Sequence, residues 1–305
     1  MRILIVGLPL FAERLCNALK EYDHENSYFH LDTYYSKMDQ IKALYQIRRA
    51  DCIVSINGSI ITSRVFDLAF KKKVPLIMNW VGTDVVKSTK AFIEGNFHQN
   101  YIDNAIHFCE VEWIQEELKE IGIDAKIVNF AVFKKTYELK KASSDQLTVL
   151  SYIPNKRSNF YGMKTMIRMA EELPSIQFLI AGNKGEEYAP LPPNMKALGW
   201  VEKMDEIYEQ THVCVRYTEH DGLSNFILES LARGKQVAYK NDFNYCAHCP
   251  NEAALKLTLL DFQERFKSGN DLLNPAGAKF IQDEFNENVI LGGFIQKITS
   301  AVEKS

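Results

Sequence analysis

Through its first 130 residues the chain alternates short β-branched apolar runs with longer stretches of helical period. That alternation limits the possible folds more than any other feature. The apolar runs fall at residues 3–6, 52–56, 74–80, 106–109 and 126–130; the helical stretches fall at 9–22, 38–49, 61–72, 90–101 and 111–121. Strands separated by helices of this length form βαβ units, which lie parallel in one sheet. Parallel strands are covered on both faces, so they read as unbroken apolar runs, as "ILIV" does here.

The alternation stops at residues 134–146, "KKTYELKKASSDQ", which is charged and has no apolar period. It has the composition of a linker. Beyond it the pattern restarts, with strands expected at 147–153, 177–181, 196–199, 213–217 and 236–239. Helices are expected at 161–173, 205–210, 224–233, 280–285 and 290–302. A chain of 305 residues suits two domains better than one. The expected division is a Rossmann-like α/β domain over 1–133, the linker 134–146, a second doubly wound domain over 147–285, and a C-terminal helix over 286–305 that packs back on the first domain. Ligands of such sheets bind off the carboxyl ends of the strands.

Bulk properties exclude several classes. A hydrophobic content of 46% with 25% charged residues is that of a soluble globular protein. A net charge of −3 argues against a nucleic-acid partner. The basic runs Lys71, Lys72 and Lys73, Lys134 and Lys135, and Lys140 and Lys141 read as solvated surface. The first of them also suits a peripheral contact with an anionic membrane. The N-terminal apolar run is interrupted by Gly7 and Pro9 and followed by Glu13 and Arg14, so it reads as a first strand rather than a signal peptide. No run approaches the length of a membrane span. The six cysteines are scattered through apolar segments, as reduced core thiols are. Cys246 and Cys249 bracket Ala247 and His248, but no second ligand pair stands near enough for a zinc site. The chain is expected in the cytoplasm, with peripheral binding at the inner membrane face as a further expectation.

The richest segment follows the expected strand at 213–217. Asp221 and Gly222 form a turn, and Ser224 is placed to cap a helix whose Phe226, Ile227, Leu228 and Leu231 are apolar. A helix start at a strand's carboxyl end offers backbone N–H groups and a positive dipole end to a phosphate. Glu229 lies about a turn and a half into this helix, where a carboxylate can accept hydrogen bonds from ribose hydroxyls. The plainer alternative has Asp221 and Ser224 capping the helix and Glu229 in solvent.

"HDGLSNFILESLARGKQVA" resembles the donor-domain signature of GT-B glycosyltransferases of family four, in which two carboxylates stand with seven residues between them. Asp221 holds the first place, where that family usually has Glu. "EELPSIQFLIAGNKG" and "NMKALGWVEKMDEIYEQTHVCVR" resemble the donor-domain segments before it, and "NWVGTDVVK" more loosely resembles an N-domain loop. The resemblance implies the GT-B fold, two doubly wound domains facing across a cleft, with residues 1–133 on the acceptor side and 147–285 binding a nucleotide-diphosphate sugar. It implies sugar contacts from Asp221, diphosphate contacts from the backbone of Gly222, Leu223, Ser224 and Asn225, ribose contacts from Glu229, and the base near Gly199 and Trp200; His220, beside Asp221, either contacts the donor or holds the loop. Lys156 and Arg157 would neutralise the diphosphate. Tyr161 occupies the place of a second cation, and Arg216 beside the loop is a candidate replacement; otherwise Arg216 is a surface salt bridge.

Breaking a sugar–diphosphate bond builds negative charge on the leaving group, which fixed cations and N–H dipoles stabilise. No Asp-x-Asp pair stands at a strand end, so no metal and no cofactor is expected; the nucleotide sugar is a substrate. The acceptor is a hydroxyl of a carbohydrate or lipid-linked glycan, as in cell-surface polysaccharide or glycolipid synthesis. The family resemblance implies a retaining reaction. An inverting relative would use Asp84 as general base, although Asp84 also suits a helix cap. A sugar-nucleotide epimerase of the same architecture is a further alternative. A dinucleotide-binding protein is disfavoured because "VGLPLFAERL" lacks the glycine fingerprint. His107 and the tryptophans Trp80 and Trp113 read as core residues.

Overall fold

A computed structural model describes residues 1–133 and 135–304. Lys134 and Ser305, at the ends of the expected linker and of the last segment, lie outside the described residues. The chain forms two compact units. The first comprises Met1–Val132, Asp221–Leu223 and Phe285–Ser305; the second comprises Phe133–His220 and Ser224–Glu284.

The first unit runs β1 (Arg2–Gly7), α1 (Pro9–Tyr22), β2 (Ser27–Leu31), α2 (Lys37–Gln46), β3 (Cys52–Ile56), α3 (Arg64–Lys71), β4 (Leu76–Trp80), α4 (Thr83–Ile93), α5 (Gln99–Asn104), β5 (Ile106–Cys109), α6 (Glu112–Glu120) and β6 (Lys126–Ile127). Its strands are all parallel, in the order β2-β1-β3-β4-β5-β6. Only the β1–β2 crossover runs leftward in that order. Right-handed crossovers therefore put α1 on one face and α2, α3, α4 and α6 on the other. α1 starts with Pro9 at a position whose N–H has no intrahelical partner, and buries Ala12, Leu15, Cys16 and Leu19 along one stripe. Each fully buried leucine contributes roughly 2 kcal/mol.

The second unit runs β7 (Thr148–Tyr152), α7 (Met163–Glu172), β8 (Gln177–Ala181), β9 (Met195–Gly199), α8 (Met204–Glu209), β10 (Val213–Arg216), α9 (Asn225–Ala232), β11 (Gln236–Tyr239), β12 (Ala247–His248), α10 (Glu252–Lys267) and α11 (Pro275–Glu284). The parallel sheet has the order β12-β11-β10-β7-β8-β9. Val149, Phe178, Ile180 and Val215 form its core with Met163, Met166 and Met169 from α7 and Leu255, Leu259 and Phe262 from α10. The charged segment after Phe133 is tied to this unit: Lys135 pairs with Asp205 at 3.2 Å, and Ser143 N–H donates to the Glu209 carbonyl. The last helix, α12 (Gly293–Val302), follows a π-helical turn at Asn288–Gly292, and both belong to the first unit.

Several expected elements shift. The helix expected at 90–101 is two helices, because Gly95, with a left-handed φ of 68°, terminates the first turn sequence after Ile93. β2, β12 and the sixteen-residue α10 were not expected. No helix among the described residues is long and apolar enough to cross a membrane.

Candidate functional site

In the second sheet the strand order reverses between β7 and β10. A doubly wound sheet opens a crevice at such a switch point, beyond the carboxyl ends of the two strands. The loops leaving these strands hold most of the sequence-predicted residues of this unit. Tyr217 lies where they meet. Gly162, at φ 89°, sits so close to the Tyr217 carbonyl that a Cβ there would lie 2.1 Å from its oxygen. Glu219 N–H donates to the Phe160 carbonyl at 2.8 Å. The β7 loop is pinned from its other side by Asn183 Nδ2 to the Pro154 carbonyl, Lys184 N–H to Asn155 Oδ1, and Ser158 with the Tyr188 hydroxyl.

Two arginines stand on adjacent aromatic rings of that loop. The Arg157 guanidinium lies 4.0 Å from the Phe160 ring centroid and that of Arg216 lies 5.2 Å from Tyr161. Phe160 and Tyr161 themselves pack edge to face, 5.2 Å apart. Cation–π contacts of this kind hold a guanidinium while leaving its charge intact. Arg157 adopts a left-handed φ of 59°, an uncommon strain at a non-glycine residue. Arg216 is not the exposed residue of a surface salt bridge: it is buried, and its NH1 donates to the Tyr152 carbonyl at 3.3 Å. Tyr161, which stands where a second cation was expected, is thus the ring over which a cation from β10 lies. Lys156 is exposed on the same loop, and Lys240 donates to the Glu219 carbonyl at 3.1 Å.

Ser224 occupies the N-cap of α9 with extended backbone, but its side chain makes no capping hydrogen bond. Its carbonyl accepts from the Ile227 and Leu228 N–H groups, so Ser224 starts the helix through its backbone. Phe226, Ile227, Leu228 and Leu231 are buried, whereas Asn225 and Glu229 are partly exposed. The base-side residues lie further along the same edge, at the ends of β8 and β9. Gly199 N–H donates to the Asn183 carbonyl, the Gly199 carbonyl accepts from Gly182, and Trp200 is 80% exposed. His220 is partly exposed.

Asp221, Gly222 and Leu223 group with the first unit. Trp113 Nε1 donates to the Asp221 carbonyl at 2.8 Å, so Trp113 is more than core filler. Gly222 meets protein backbone: a Cβ there would fall 2.2 Å from the Val81 carbonyl oxygen. Its lack of a side chain is required by that neighbour, whatever else the loop binds.

The same unit places Asp84 in the first turn of α4. Its carboxylate is buried and accepts N–H bonds from Gly58, Val81, Gly82 and Val85, at 2.8 to 3.2 Å. It ties the loops after β3 and β4 together, and a group so occupied is poorly placed to take a proton from an acceptor. Sequence reading passed over two residues beside it. Asn79, fully buried in β4, and Glu110, buried after β5, have side-chain polar atoms with no hydrogen-bond partner among the described residues. Polar residues interrupting "LIM" and "HFC" runs at strand ends were the available signal. Burial, reinforced by Asp84, pushes the Glu110 carboxyl up to about 8. Burial also raises Asp84, and its backbone N–H donors oppose that rise. His107 is a core histidine: Nδ1 accepts from Trp80 Nε1 at 3.1 Å, Nε2 faces the Ile102 carbonyl, and burial holds it down to about 4.

Two parallel doubly wound sheets of six strands, with a cation-bearing switch point in the second, constitute the GT-B fold. Sucrose-phosphate synthase from Thermosynechococcus elongatus is similar over 100% of both chains, with a TM-score of 0.72 and 12% identity. A glycosyltransferase from Rickettsia africae matches over 100% of this chain and 99% of its own, at TM-score 0.70 and 11% identity. HepE from Anabaena in complex with UDP-glucose matches over 98% of this chain and 100% of its own, at TM-score 0.68 and 11% identity. No protein-family model and no curated protein matches the sequence.

Proposed function

We propose that the protein transfers a sugar from a UDP-sugar to a hydroxyl of a carbohydrate or lipid-linked acceptor, with retention and without a metal. The observation that carries this reading is the pair of ring-supported arginines, Arg157 and Arg216, at the switch point of the second sheet beside the start of α9. Fixed cations and a helix dipole at that point suit a diphosphate leaving group. The bound UDP-glucose of HepE supports uridine as the base. In this reading Lys156, Arg157 and Arg216 meet the diphosphate together with the backbone of Gly222, Leu223, Ser224 and Asn225. Glu229 meets the ribose, Gly199 and Trp200 the base, and Asp221 and His220 the donor sugar. Retention is preferred because the base an inverting reaction needs, Asp84, is occupied by four N–H donors. Synthesis of a cell-surface polysaccharide or glycolipid in the cytoplasm is the setting we propose.

Thermal unfolding in the presence of UDP, GDP, ADP and UDP-glucose tests the reading. A ligand at a hundred times its Kd stabilises the native state by about 2.7 kcal/mol, a readily measured rise in Tm. UDP and UDP-glucose are expected to raise it and Glu229→Gln to reduce the rise. A protein whose Tm responds to no nucleoside diphosphate would refute the proposal.

A further inference from the structure

α2 is an anomaly among the helices of the first unit. Of its ten residues only Ala43 is buried. Met38, Ile41 and Tyr45 recur at the spacing that lines one helix face, and they are 65%, 63% and 61% exposed. The loop before the helix extends the stripe with Tyr34 and with Tyr35, which is 73% exposed; the two rings pack edge to face at 4.8 Å. Single exposed apolar residues need no explanation, but a continuous stripe of five does.

The surroundings of the stripe are basic. From residue 37 to 49 there are four cations, Lys37, Lys42, Arg48 and Arg49, against one carboxylate, Asp39, although the whole chain carries a net charge of −3. Arg49 lies over the Tyr45 ring at 5.3 Å, and Lys87 of α4 reaches the Tyr34 hydroxyl at 3.3 Å. α2 and α3 pack side by side and both run antiparallel to the strands, so Lys71, Lys72 and Lys73 at the end of α3 share an edge of the unit with Arg48 and Arg49. An apolar helix face fringed by lysine and arginine, with tyrosines at one end, is the pattern of a helix that lies in a bilayer interface.

We infer that α2 and the Tyr34–Tyr35 loop dock the protein on an anionic phospholipid surface, with Met38, Ile41 and Tyr45 entering the acyl boundary. The stripe, rather than the Lys71–Lys73 run alone, is the anchor, and that run adds charge at its rim. The inference draws on the proposed function only for the sense of a membrane-borne acceptor. It is measured without nucleotide, so its failure is distinct from a failed UDP response.

The test is co-sedimentation of the full chain with vesicles of phosphatidylcholine, with and without phosphatidylglycerol as about a third of the lipid. Cations near an anionic surface strengthen its binding, so binding to the anionic vesicles is expected to be stronger by about tenfold or more and to weaken with salt. The triple variant Met38→Ser, Ile41→Ser, Tyr45→Ser alters only exposed side chains, so its Tm is expected to hold while vesicle binding falls by about tenfold or more. Lys37→Glu with Arg48→Glu is expected to abolish the preference for anionic lipid. Three results would overturn the inference: no binding to anionic vesicles, a triple variant that binds like the parent, or a stripe that proves to join two copies. The last would appear in sedimentation equilibrium as a dimer that the triple variant dissociates.

Discussion

The carboxyl ends of the two sheets are built from the same βαβ units yet carry opposite chemistry. In the first unit they hold buried carboxyls, Asp84 and Glu110, with the Asn79 amide, which has no hydrogen-bond partner among the described residues. In the second they hold cations, Arg157 and Arg216 on aromatic rings and Lys240 on a loop carbonyl. Architecture brings loops to one edge; the few residues at strand ends decide what that edge attracts. Fixed cations at the second edge suit an anion, and the first edge offers no such cation among these residues.

Three measurements probe this contrast. Arg216→Ala removes a fixed cation, and loss of one such stabiliser costs about a hundredfold or more in turnover. Because Arg216 also packs against Tyr161 and the Tyr152 carbonyl, Arg216→Lys is the control. It is expected to keep the fold and recover part of the UDP affinity seen by calorimetry. Equal UDP binding in all three proteins would erase the distinction between the two edges. Asp84→Ala is expected to act on stability instead. It strands several buried N–H donors and should cost about 3 kcal/mol in urea unfolding, while turnover per folded molecule stays within a few-fold. A collapse of turnover at unchanged stability would restore Asp84 as a base.

The smallest effect concerns pH. Glu110 keeps its proton up to about 8 in the native state, whereas the unfolded chain releases it in the ordinary glutamate range near 4.5. The native state therefore binds more protons between those values, and stability falls as pH rises through that window. His107 and His212, both held neutral by burial down to about 4, act in the opposite sense: their contribution is lost as pH falls from about 6.5. Between about pH 6.5 and 8 the histidines are silent. There Glu110→Gln is expected to flatten the decline in urea midpoint, and an unchanged slope would show that Glu110 is ionised in the fold.

Much of this organisation was legible in the sequence, where burial imposed a period. α1 was expected at 9–22 and spans Pro9–Tyr22, because a proline start and a four-residue apolar stripe mark it. β2 escaped because it is an edge strand whose only fully buried side chain is Tyr28. α10 escaped although Asn251 caps it and Leu255, Leu259 and Phe262 are spaced for one face; exposed Leu257 blurs the stripe. Among site residues, Arg216 and Glu229 could be placed relative to strand and helix ends from spacing. The ring beneath Arg216 and the N–H donors around Asp84 could not, because they depend on loops meeting from distant parts of the chain. Gly222 illustrates the gap: its glycine was legible, but the Val81 carbonyl that demands it was not.

The first unit is discontinuous in sequence, since Phe285 onward belongs to it while residues 133–220 and 224–284 make up the second. On a ribosome, domains fold as their sequence emerges. The second unit can therefore be completed before the first, although it is synthesised after most of it. Until the final helix is made, the surface of α1 that receives the Asn288–Gly292 turn stays uncovered. A stop codon after residue 284 would remove none of the second unit's residues, yet it would leave the first unit unfinished.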